Sequence, residues 1–75
     1  MNAERRKRRD SIGEILSAII SDIEELKDDE EGALENMPES LQESERGEKM
    51  RENVDSLEEI ISELESQRDY LSEVD

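Results

Sequence analysis

SIGEILSAIISDIEEL, residues 11–26, is the densest apolar stretch of a chain that is otherwise strongly charged. Within it Ile12, Leu16, Ile19, Ile23 and Leu26 recur at alternating steps of four and three. That spacing lines one stripe of a helix that packs on another helix. Ile15 and Ile20 flank the stripe, so it is wider than the two-position seam of a simple coiled coil and has more than one neighbour to cover. A matching stripe lies downstream. Met50, Val54, Leu57, Ile61, Leu64 and Leu71 keep the same rhythm, with Arg68 at the one seam position that is not apolar, and Ile60 and Val74 broaden it. Two such helices joined by a short connection fold back antiparallel to bury their stripes on each other. The expected fold is all-α: an antiparallel, coiled-coil-like two-helix hairpin whose wide stripes predict dimerisation into a four-helix bundle. The apolar residues from Ile12 to Leu26 and from Leu57 to Leu71 are expected to carry the core and the oligomer contact. The antiparallel pairing predicts Leu26 near Leu57, Ile19 near Leu64 and Ile12 near Leu71.

The chain reads as one domain, with helix one over residues 3–36, a connection over 37–44 and helix two over 45–73. Ser11 and Glu14 form a capping box that would start a helix late and leave a basic tail. Glu4 to Asp10 are mostly good helix formers, however, and favour a helix already running through the arginines. Gly13 then costs about 1 kcal/mol relative to Ala. The acidic run from Asp28 to Glu31 places Glu30 on a seam position and predicts looser packing there, before Ala33, Leu34 and Met37 resume the stripe. Pro38 drives Met37 out of helical geometry and stops the first helix near Leu34 to Asn36. Ser40 and Ser44 each offer a cap for the second helix, which leaves its start open between Pro38 and Glu45.

Composition bounds what the protein can do. Its 75 residues have room for one domain, and with 31% hydrophobic and 1% aromatic residues its core needs a supplement, for which oligomerisation is the natural source. There is no Cys and no His, which removes disulfides, thiolate nucleophiles, the usual zinc sites and the commonest general base. Twenty-four carboxylates ensure some close pairs, but a carboxylate metal site in a helix bundle needs Glu-x-x-His on facing helices. The expectation is therefore a protein that is not an enzyme, with no cofactor and no metal. No apolar run spans a bilayer and no signal peptide follows the basic start, so a soluble, intracellular protein without a membrane partner is expected.

The net charge of −14 is unevenly spread: Arg5, Arg6, Lys7, Arg8 and Arg9 supply half of the ten basic residues, and the chain after Asp10 is strongly acidic in balance. Folded antiparallel, the cluster would lie beside Asp69, Glu73 and Asp75. Pairing with those carboxylates is one role for Arg5, Arg6, Arg8 and Arg9. The other is to hold a phosphate-bearing nucleotide, since guanidinium forks match phosphate oxygens. Direct nucleic-acid binding is not expected, because an acidic protein repels a long polyanion and no aromatic is placed to stack bases. The acidic helices themselves have two readings, a solvating surface or an imitation of nucleic-acid phosphates. Arg68 is expected to snorkel or pair with an acidic neighbour, and Tyr70 to form a half-buried contact at the hairpin end.

At residues 36–50, NMPESLQESERGEKM, followed by RENVDSLEEIISELE, the chain resembles short helical proteins encoded by phages and prophages of Gram-positive gut bacteria. They share its layout of a charged helix, an Asn-Met-Pro-Glu turn and an acidic Leu-Glu-Glu helix. The resemblance covers the second half of the chain and carries no catalytic residues. It implies an accessory protein in a bacterial host cytoplasm that binds and disables a host defence component, and the acidic surface, where it imitates phosphates, adds a host nucleic-acid-binding protein as the target. The alternative from a different class is a structural or regulatory oligomerisation module.

Overall fold

The computed structural model describes all 75 residues and contains three helices and no strand: α1 (Ala3–Glu35), α2 (Glu39–Gln42) and α3 (Glu45–Ser72). The side chain of Asn2 caps α1 by accepting from the Arg5 amide at 2.8 Å, with Glu4 in the first turn. Both features stabilise the positive end of a helix. The helix thus begins ahead of the arginines and passes through Ser11 and Gly13 without a break. It runs for 33 residues, about 50 Å at 1.5 Å per residue, and ends where Asn36 donates its amide to the Gly32 carbonyl at 3.0 Å.

Inside the connection lies one turn of helix, α2, too short for any hydrophobic period to reveal. The amides of Leu41 and Gln42 donate to the Pro38 carbonyl at 2.8 and 3.1 Å, and Gln42 Nε2 reaches back to the Met37 carbonyl at 2.9 Å. Ser44 then caps α3. Its Oγ accepts from the Gly47 amide at 3.4 Å and donates to the Leu41 carbonyl, so the end of α2 and the start of α3 share one residue. Gly47 is buried in the same corner, where a Cβ would overlap the backbone of Gln42. Only glycine permits that approach.

α1 and α3 are the two long helices, and they pack antiparallel into a rod of 59 × 14 × 11 Å. Three cross-links mark the register: Asn53 Nδ2 donates to Glu30 Oε2 at 2.8 Å, Arg68 Nη1 to Ser17 Oγ at 3.3 Å, and Arg9 Nη1 to the Val74 carbonyl at 2.6 Å. Ile20, Val54 and Ile61 are the buried apolar side chains. Leu16, Ile23, Leu34, Met50, Leu57, Leu64 and Leu71 are half-buried around them. α3 turns inward the stripe its spacing indicates. α1 does not.

Its seam passes through Gly13, Leu16, Ile20, Ile23, Lys27, Glu30 and Leu34, while Ile12, Ile19 and Leu26 stand exposed on one side. This corrects the expected seam of α1. Leu16 and Ile23 belong to both stripes, so a small rotation of the helix exchanges Ile19 for Ile20 at the contact. The rotation is tolerated because Lys27 and Glu30 lay their stems along α3 while their charged ends reach partners. Lys27 Nζ lies 3.6 Å from Glu58 Oε1, and Glu30 accepts from the Asn53 amide. Beyond the acidic run Leu34 and Met37 point inward and Ala33 stays exposed.

Candidate interaction surface

The rotation of α1 makes the two long edges of the rod unlike. Along one edge, Leu26 and Asp29 share a groove with Asn53, Ser56 and Leu57. Nearer the open end, Arg5, Arg8 and Ile12 share another with Leu71 and Val74. Ile15 and Ile19 fall on the same strip of α1 by heptad spacing, between the two grooves, and Ile60 follows Asn53 by one heptad on α3. The apolar members are open to solvent: Ile15 is 60% exposed and Leu26 56%. Opposite edges differ in kind. On the other side Gly13 and Ser17 meet Arg68, Asp69 and Ser72, and Glu31 meets Arg51 and Asp55.

The expected contact residues therefore separate into two groups. Leu16, Ile20, Ile23, Leu57, Ile61, Leu64 and Leu71 join α1 to α3. Ile12, Ile15, Ile19, Leu26 and Ile60 form an exposed apolar face, with Val74 at its end. The pairs Leu26 with Leu57 and Ile12 with Leu71 share grooves. Tyr70, at 65% exposed, is more open than a half-buried contact, because it stands on the outward side of α3, away from the seam.

The arginine cluster is less engaged with the end of α3 than its position suggests. Arg6 Nη1 lies 3.6 Å from Asp75 Oδ1, whereas Arg9 pairs with its neighbour Asp10 at 2.9 Å. Asp69 is taken by Arg68 at 3.3 Å, and Glu73 makes no ion pair. Of the expected partners only Asp75 is engaged, because the backbone of α3 is ending as α1 begins and the long side chains splay outward. Arg5 and Arg8 have no carboxylate within ion-pair distance and border the apolar face. The heptad positions 5, 12, 19, 26 and 8, 15, 22, 29 were the signal for this strip, and it is basic at one end, apolar in the middle and acidic at the other.

The rest of the surface is predominantly acidic. Glu58 and Glu59 are exposed and Glu65 is half-buried. No group of three or more acidic side chains converges as metal ligands would, and no helix is long and apolar enough to cross a membrane. Compared with protein-family models, with curated proteins and with solved structures, the chain matches none of them.

Proposed function

We propose that this chain works by binding: a small acidic phage-type accessory protein of the bacterial cytoplasm that self-associates into a four-helix bundle and occupies a host protein that normally holds nucleic acid. Line charge is the observation that carries the reading. Net −14 along 59 Å is about one negative charge every 4 Å. Two hairpins side by side bring that to about one every 2 Å, close to the one per roughly 1.7 Å of duplex DNA. Self-association and mimicry thus support each other, since a single hairpin is only half as charged as the polyanion it would imitate. The thin core favours association independently, because three buried apolar side chains are few for a chain of this length.

Capture from a lysate of a Gram-positive gut bacterium, followed by elution with duplex DNA, tests the reading. Displacement of the captured protein by DNA is the expected result, with binding that weakens as salt rises. Replacing Glu58, Glu59 and Glu65 with Gln should lower the affinity at constant helix content. A captured protein that DNA does not displace, and that binds the Gln variant equally well, would reject mimicry.

Arg5 and Arg8, free of carboxylates and close together, favour a second reading as a site for a phosphate-bearing nucleotide. In a thermal-shift series of linear and cyclic nucleotides, a ligand present at one hundred times its Kd would add about 2.7 kcal/mol. Absence of any shift removes this reading.

A further inference from the structure

We infer that the apolar face built by Ile12, Ile15, Ile19, Leu26 and Ile60 packs on the same face of a second copy, with the two-fold axis lying across the rod, so that α1 runs antiparallel over α1 of its partner. The inference rests on the proposed self-association and goes on to fix its geometry. The whole side of the rod that carries this face measures 59 by 14 Å, on the order of 800 Å², the area each partner of a standard-size interface buries, and the apolar residues from Ile12 to Leu26 take up about 21 Å of its length. Asp22, Glu63 and Gln67 also fall on this side by heptad spacing, so the apolar part is concentrated near the middle of α1.

Only two arrangements place one hairpin face on another with neighbouring helices antiparallel. A two-fold axis along the rod sets α1 of each copy over α3 of the other and brings both arginine clusters to one end. Arg5 and Arg8 would then lie over the partner's Leu71 and Val74, which offer them no carboxylate, and both clusters would gather at one end with the acidic stretches around Asp29 at the other. Gathering like charges at each end opposes association. A two-fold axis across the rod reverses the partner and sets like helix over like. Centred on Ile19, it lays Ile12 of one copy over Leu26 of the other and brings Arg8, which has no carboxylate of its own, onto Asp29. Charge complementarity selects the second arrangement.

The absence of cysteine makes the geometry directly testable. Ile19→Cys should cross-link to itself on mild oxidation far faster than Glu14→Cys, which stands on the opposite edge. A charge exchange provides the second readout. Arg8→Glu and Asp29→Arg should each raise the dimer Kd by about tenfold or more, and the chain carrying both should return to within about threefold of the parent. Arg8 and Asp29 lie on one helix about 30 Å apart, so restoration can act only between copies. A monomeric mass by light scattering at high concentration would overturn self-association and this geometry together. A dimeric mass with no excess cross-linking of Ile19→Cys and no restoration by the double exchange would overturn the geometry alone.

Discussion

Ile19 and Ile20 are neighbours in the chain and have the same side chain, yet one is 43% exposed and the other 3%. They stand for the two surfaces of α1, the outer strip that faces solvent and the inner seam that faces α3. The difference teaches that apolar residues on this helix do two jobs, and that neither can be assigned from hydrophobicity. The inner seam is short of apolar groups, with Gly13, Lys27 and Glu30 at contact positions, while the outer strip carries four large ones. A helix that spends as many large apolar side chains outside as inside is built for a further partner.

Substituting the two neighbours separates those jobs most sharply. Ile20→Asp places an unpaired carboxylate in the dry centre of the hairpin, where desolvation costs several kcal/mol, and should unfold the chain at every concentration by circular dichroism. Ile19→Asp should instead abolish self-association while leaving the helical signal of the dilute protein intact. Its Tm should lose the concentration dependence that mass action gives the parent. Equal unfolding by both substitutions would erase the distinction between strip and seam.

Two glycines sharpen the same contrast with opposite signs. Gly47→Ala forces a methyl group against the Gln42 backbone and should cost about 1–3 kcal/mol, as overpacking does, read as a fall in the denaturation midpoint. Gly13 has open space where a Cβ would go, so Gly13→Ala should stabilise α1 by about 0.5–1 kcal/mol through helix propensity. The smallest effect belongs to the exposed pair of Arg6 with Asp75. Arg6→Gln should lower stability by no more than about 1 kcal/mol, a difference that shrinks as salt rises.

The sequence discloses α3 more fully than α1, and the reason lies in the number of stripes each helix offers. On α3 a single phase, Met50 through Leu71, dominates, and that phase turns inward. On α1 two phases overlap through Leu16 and Ile23, and the choice between them is made by what α3 and the turn demand of it, which no local pattern contains. The spacing rule also discounts Lys27 and Glu30 as seam residues. Their stems supply apolar contact and their ends find Glu58 and Asn53, a solution visible only once the helices are side by side. The long helices were legible from periodicity, whereas α2 was hidden because one turn is shorter than the period that would reveal it. The interaction face was half legible: its residues stood in the stripe, but their outward direction did not.

Gly47 also governs how the hairpin finds its alignment. A pair of heptad-patterned helices is degenerate, since sliding one along the other by seven residues brings each stripe back into phase. Three buried side chains discriminate poorly among such slips. The corner at Ser44 and Gly47 removes the ambiguity, because a seven-residue slip would displace the start of α3 from the end of α1 by about 10 Å and pull apart the hydrogen bonds that hold α2 compact between them. The turn therefore acts as the origin from which the two helices are measured, and the chain should close like a zipper from that end. Substitutions at the turn should slow folding, whereas those beside the arginines should alter only the rate of opening.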